Sequence, residues 1–184
     1  MKSIDPACTA LLLIDVINDF DFPGSEDLLR HALPAAKKLA RLKRRMHGAG
    51  VPIIYVNDNF GRWQSDFREQ IERCAGDPCI GCEVARLLLP SRTDYFVLKP
   101  KHSGFFSTSL EVLLAFLEVD TLVLSGFAGD ICVLYTANDA YMRDYKIIAA
   151  ADCIASETIA ANEAALEQMR GLLKARVTIS SRIC

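Results

Sequence analysis

No stretch of this 184-residue sequence approaches the roughly 18 apolar residues that a membrane span needs, so no transmembrane segment is expected. No export signal is expected either. Met1 to Pro6 carries Lys2 and Asp5, and the apolar run Ala10–Ile14 is too short for a signal core. A cytoplasmic protein is the resulting expectation. Net charge is only −2, without the basic excess that would mark a nucleic-acid partner. Lysines and arginines do gather between Lys37 and Arg45, but at helical spacing, which reads as a solvated helix face. Repeats, low-complexity tracts and long linkers are absent. What remains is one domain spanning residues 1–184, with enough apolar content (51%) for a proper core.

The seven cysteines, Cys8, Cys74, Cys79, Cys82, Cys132, Cys153 and Cys184, make an odd total. Without an export signal they are expected to be mostly reduced thiols rather than a disulfide framework. Cys74, Cys79 and Cys82 form C-x4-C-x2-C, a spacing that suits zinc only if a fourth ligand is supplied. Histidine is scarce: His31, His47 and His102 are the whole set, and none lies near the cluster. No metal and no other cofactor is expected.

Strand and helix patterns alternate along the chain. Thr9–Val16 and Val51–Val56 are continuous apolar runs, as expected for parallel strands covered on both faces. Asp94–Leu98, Leu122–Leu124, Lys146–Ala151 and Arg176–Ser180 supply four more strands. Helices are expected after Ser25 (with Pro34 marking a kink or a second start), over Asp66–Cys74 and Ile80–Leu89, after a cap at Ser107, over Val133–Ala140 and over Glu157–Leu173. This alternation predicts an α/β fold, a mainly parallel six-stranded sheet between helical layers. Active sites in such sheets lie at the carboxyl ends of the strands.

Asp15, Lys99 and Cys132 each fall at or just past such an end. In LVLSGFAGDICVLYTANDA (residues 122–140) a buried strand breaks at Ser125-Gly126 and Cys132 sits where the connection becomes a helix. The N–H groups and dipole of a helix start favour negative charge, which draws a thiol towards thiolate near neutral pH. A carboxylate to take the thiol proton and an ammonium to stabilise the thiolate complete a nucleophilic site. Each residue also has an ordinary use: a buried small hydrophobe for Cys132, a loop-capping carboxylate for Asp15, a rim lysine for Lys99. Their convergence on one rim favours the chemical reading.

Three motifs in this chain resemble those of the isochorismatase-like cysteine hydrolases, a family that includes nicotinamidases and N-carbamoylsarcosine amidase. They are ALLLIDVINDF with Asp15, LKPKHSGFFSTSL with Lys99, Ser103 and Phe105, and SGFAGDICVLYTANDA with Gly126 and Cys132. The resemblance runs from about Thr9 to Ser180. It implies a Rossmann-like three-layer fold with strand order 3-2-1-4-5-6, and a catalytic triad of Asp15, Lys99 and Cys132. It also implies a cis Phe127–Ala128 peptide, and an oxyanion hole made by the N–H groups of Ala128 and Cys132. Lys99 would start two strands from Asp15, roughly 10 Å at ordinary strand spacing, and its stem must close that gap.

Two departures bear on the substrate. Metal-binding nicotinamidases carry Asp-x-His after the second strand, where this chain has Asp58-Asn59-Phe60 with no histidine before Leu98. Some vinyl-ether-cleaving isochorismatases lack the cysteine, which is present here. Hydrolysis of an amide or related C–N bond of a small molecule therefore ranks above isochorismate-type vinyl-ether cleavage. A non-catalytic, redox-sensing thiol protein of the same fold is the other alternative. Phe20, Phe22, Asn59, Trp63 and Phe105 are the expected pocket-lining residues, with Arg62 and His102 as groups for an anionic substrate. A homo-oligomer is expected from the family and from apolar residues at Phe105-Phe106 and Tyr141-Met142.

Overall fold

The computed structural model describes residues 4–61, 66–76 and 79–183. Its centre is β1 (Thr9–Ile14), a run of six residues with no polar side chain after Thr9 and every position buried. Such a strand can exist only with neighbours on both edges and helices on both faces. β2 (Ile53–Asp58) and β4 (Thr121–Phe127) flank it, with β3 (Tyr95–Lys99) beyond β2 and β5 (Lys146–Ala155) and β6 (Arg176–Thr178) beyond β4. All pairings are parallel and the order is 3-2-1-4-5-6.

The alternation of side chains along β1 sorts the core into two layers. Leu11 and Leu13 face α1 (Ser25–Gly48), α2 (Phe67–Ala75) and α3 (Cys82–Leu87), meeting Leu39, Leu42, Met46 and Phe67. Ala10, Leu12 and Ile14 face α4 (Leu110–Phe116), α5 (Leu134–Tyr141) and α6 (Ile159–Gly171), meeting Leu114, Ala137, Ala140 and Met169.

Several boundaries differ from the sequence expectation. α1 is one continuous helix through Pro34, which starts no second helix, and Gly24 rather than Ser25 is its cap residue. Ser107 caps nothing: its φ is +53°, and α4 starts at Leu110 with the Thr108 hydroxyl accepting from the Leu110 N–H. β4 continues past Ser125-Gly126 to Phe127, but its pairing with β5 shifts register between Leu124 and Gly126, where Gly126 adopts φ +112° with Ile14 packed against it. A Cβ there would lie 2.0 Å from the Ile14 carbonyl oxygen, so only glycine fits. β5 extends four residues past Ala151 to Ala155. The basic face of α1 is not wholly solvated. Lys43 is withdrawn into an ion pair with Asp94, and Arg45 donates to the Ser180 carbonyl. No disulfide joins the described cysteines. No helix among the described residues is long and apolar enough to cross a membrane.

Candidate active site

Asp15 is the first residue past β1 and takes φ +51°, a left-handed conformation that aspartate tolerates better than most residues. Its carboxylate is turned towards β2, where Oδ1 accepts the Asp58 N–H at 2.6 Å. Lys99 ends β3, and its stem passes under the rim of β2 with no exposed surface. The Lys99 ammonium lies 2.8 Å from Asp15 Oδ2, 3.7 Å from Asp58 Oδ2 and 3.5 Å from Cys132 Sγ. The stem therefore closes the two-strand gap. Cys132 sits in a π-helical turn, Gly129–Val133, between β4 and α5, and its sulfur accepts from the Lys99 ammonium. Thiol, carboxylate and ammonium thus meet at the carboxyl end of the sheet. The Phe127–Ala128 peptide that enters the turn is cis.

An ammonium this deeply buried costs several kcal/mol unless it is paired and hydrogen-bonded. Burial works against the Lys99 charge, but Asp15 and then Cys132 outweigh it and raise its pKa, so Lys99 stays cationic. Burial lifts the Asp15 carboxyl above its usual range against the pull of Lys99 and of the Cys132 hydrogen bond. Burial first, and then the Asp15 charge, push the Cys132 thiol up despite Lys99. The expectation of a thiolate near neutral pH is corrected here: the helix start does not offset loss of solvent. What the site can do is move a proton internally. Losing a proton to water changes the charge of a buried site, whereas transfer from Cys132 to Asp15 does not. With Asp15 held high and Lys99 beside both, that internal exchange is easier than loss of the thiol proton to solvent.

A pocket of about 360 Å³ opens on this cluster, walled by Asp15, Asp58, Cys132, Ala128, Phe22, Phe60, Phe127 and Ile131, with Asn18, Leu28, His102 and Glu157 around them. Its size fits a small molecule. Of the expected lining residues, Phe22 is in place. Phe20 is not: it is wholly buried, packed between Phe22 and Phe127, because φ +56° turns it inward. Phe105 is likewise buried, against Tyr145 and under the Arg143 guanidinium. The Asn59 side chain accepts the Gly61 N–H and serves its own turn. Trp63 and Arg62 lie outside the described residues. His102 does line the pocket, leaning on Tyr135 with ring centroids 5.4 Å apart.

Leu28, Ile131 and Glu157 were not anticipated. Ile131 precedes the thiol and was within reach of the motif. Glu157 lies just past β5, and the rim rule would have found it had the strand's true end been legible. Among the described residues no group of three or more histidine, cysteine, aspartate or glutamate side chains is arranged to hold a metal ion, Cys74, Cys79 and Cys82 included.

The chain is similar to known proteins along most of its length. Residues 9–181 match the family model described as Isochorismatase domain. The uncharacterized isochorismatase family protein YaaI of Bacillus subtilis is 40% identical over 174 residues, covering 95% of each chain. The ureidoacrylate amidohydrolase RutB of Methylobacterium radiotolerans is 26% identical over 179 residues, covering 82% of this chain and 68% of that protein. Among solved structures, N-carbamoylsarcosine amidase of Thermoplasma acidophilum superposes with a TM-score of 0.73 at 29% identity, covering 96% of this chain and 98% of that one.

Proposed function

From the premise that this chain belongs to the isochorismatase family and is a hydrolase, we propose that it cleaves an amide or related C–N bond of a small molecule through a thioester on Cys132. The observation that carries this reading is the contact of Lys99 with both Asp15 (2.8 Å) and Cys132 (3.5 Å) on the wall of a small-molecule pocket. Relatives named for amide hydrolysis, among them ureidoacrylate and maleamate amidohydrolases, support the bond type.

The steps follow from the positions of the groups. Asp15 takes the thiol proton as Sγ attacks the substrate carbonyl carbon, and Lys99 stabilises the sulfur anion as it forms. The carbonyl oxygen becomes an oxyanion. The N–H groups of Ala128 and Cys132, both on the pocket wall, are its donors. Collapse breaks the C–N bond, Asp15 returns its proton to the leaving nitrogen, and ammonia or an amine departs. A water molecule then gives a proton to Asp15 and attacks the thioester, releasing a carboxylic acid and restoring the thiol. The apolar wall of Phe22, Phe60, Phe127 and Ile131 keeps other water away from the intermediate.

A panel of small primary amides, ureido acids and isochorismate tests the reading, with product detection on the unchanged chain and on Cys132→Ala. Release of ammonia or an amine that vanishes in Cys132→Ala is the expected result. Cleavage confined to isochorismate, or hydrolysis undiminished in Cys132→Ala, would contradict it.

A further inference from the structure

We propose that Thr136 is a positioning residue for hydrolysis, a hydroxyl strut that fixes the segment after Lys99 against the turn carrying Cys132. The inference rests on the catalytic reading given above. After Lys99 the chain runs from residue 100 to 109 across the top of the sheet without regular structure before entering α4. Nothing in that segment's own hydrogen bonding would hold it at a fixed height above α5. Phe105 anchors it to the core by packing against Tyr145, and its polar fixed points are made by α5 side chains.

The central one is Thr136, which is wholly buried. Its Oγ1 accepts the Gly104 N–H at 2.9 Å and donates to the Cys132 carbonyl at 2.7 Å. A threonine hydroxyl that bonds the carbonyl four residues back is ordinary in a helix. What is not ordinary is the second bond. The hydroxyl has one proton, spent on Cys132, and its lone pair then faces an N–H five residues beyond Lys99. One atom therefore joins the backbone of the nucleophile to the segment that follows the lysine. Gly104 is what permits the approach, since a Cβ there would lie 2.7 Å from Val56 Cγ1 and 3.4 Å from Thr136 Cγ2. One residue earlier, the Ser103 hydroxyl donates to Asp139, itself held by Arg143 at 3.0 Å. That link is nearer the surface and bonds side chain to side chain; only Thr136 reaches the Cys132 backbone.

The consequence is for the 3.5 Å separation of Lys99 Nζ and Cys132 Sγ. These groups come from β3 and from the turn before α5, which are not neighbours in the sheet. β1 and β2 hold the strands in register, but the top of the site has no ladder. The strut ties the backbones of the two segments directly. Losing it lets the turn and the lysine segment relax apart without emptying the substrate pocket, since neither Thr136 nor Gly104 lines it.

Thr136→Val keeps the side chain's shape and removes the hydroxyl. The expected result is a kcat lower by about tenfold to a hundredfold with KM within about twofold, because misplacement of reacting groups acts on the chemical step. Iodoacetamide labelling of Cys132, followed across pH, should slow to a similar degree. Thr136→Ser, which keeps both hydrogen bonds, should recover kcat and labelling to within about threefold of the unchanged chain. A folded Thr136→Val chain with ordinary kcat and labelling overturns the proposal, as does a serine variant that falls as far as valine, which would make the methyl group the part that matters. Should valine prevent folding, Thr136→Ala is read against Thr136→Ser: loss of kcat in alanine with recovery in serine upholds the strut, and ordinary kcat in alanine, or loss in both, overturns it. Cys132→Ala run in parallel separates the two levels. If it is inactive while Thr136→Val is normal, only the strut fails; if it stays active, the catalytic reading fails and takes the strut with it.

Discussion

β3 carries a lysine–aspartate pair at each end, half-buried at its start and buried at its finish, and the two pairs are put to different use. Asp94, just before the strand, holds Lys43 at 2.8 Å; Lys99, its last residue, holds Asp15 at 2.8 Å. At the first pair every donor is spent. Lys43 also reaches the Tyr55 hydroxyl at 2.7 Å and the Leu89 carbonyl at 2.8 Å, while Asp94 accepts from both the N–H and the hydroxyl of Ser91. Burial works against the Asp94 charge, but the hydrogen bonds from Lys43 and Ser91 win and hold its pKa below the usual carboxylate value. At the second pair burial wins, and Asp15 is held above it. There the lysine has a thiol as its third neighbour, and the carboxylate faces the same thiol and a pocket. A saturated pair pins two elements together. An unsaturated one, with a proton to exchange and a substrate cavity beside it, can do chemistry.

Breaking each pair should separate these uses. Lys99→Met and Asp15→Asn should each lower kcat by about a thousandfold or more, with the double variant little worse than either, since the three groups act as a unit. Lys43→Met should leave kcat within about threefold. Steady-state kinetics on any amide that the panel identifies gives the comparison. A Lys43 variant as inactive as the Lys99 variant would erase the distinction.

Stability should show the reverse order. Lys43→Met leaves Asp94 without its counter-charge and the Leu89 carbonyl without its donor, while the Tyr55 hydroxyl keeps its bond to the Leu88 carbonyl, and should cost about 2–3 kcal/mol. Lys99→Met should cost less, about 1–2 kcal/mol, because Asp15 is already poised to take up a proton when its partner is gone. Urea denaturation at neutral pH measures both.

pH should sharpen the contrast further. The depressed Asp94 pKa means its contribution is present above the ordinary value of 3.8 and is lost as pH falls through the folded value, so the gap between the unchanged chain and Asp94→Asn should narrow in acid. The buried thiols act at the other extreme. Burial, and then neighbouring carboxylates, raise Cys74 and Cys153 from 9.0 to about 12. Their contribution is therefore complete below 9.0 and declines as pH climbs towards 12. Cys153→Ala should flatten that alkaline decline in a thermal-melt series, even if it lowers the plateau.

How much of this could be read from the sequence depended on which physical property was needed. Asp15, Lys99 and Cys132 were legible because each closes a strand or the connection after one, and parallel sheets gather such ends on one rim. The sheet order came with the motifs. Side-chain direction was not legible. Phe20 and Phe105 occupy the right loops but turn into the core, a matter of local φ and packing that residue type does not reveal. β5 was read short because Asp152 interrupts its apolar run, yet that carboxylate is absorbed by the Ser180 N–H at 2.6 Å, a contact 28 residues away. The raised pKa of Cys132 follows from burial, which spacing alone cannot report.

A smaller effect concerns assembly. Phe106 and Met142 are 54% and 70% exposed, and we propose that such residues are covered in a homodimer. Light scattering at micromolar concentration should give about twice 20.3 kDa, and a monomeric mass would remove this part of the account.

The central claim is that Cys132 is the nucleophile, and the most direct measurement is site-resolved alkylation. The folded chain is treated with stoichiometric iodoacetamide at neutral pH, residual hydrolysis is followed in time, and the labelled cysteine is located by peptide mass mapping. Modification of Cys132 ahead of the other six cysteines, with activity falling in step with its occupancy, is the predicted result. First labelling at Cys8 or Cys79 with hydrolysis intact, or full occupancy of Cys132 without loss of turnover, would contradict it.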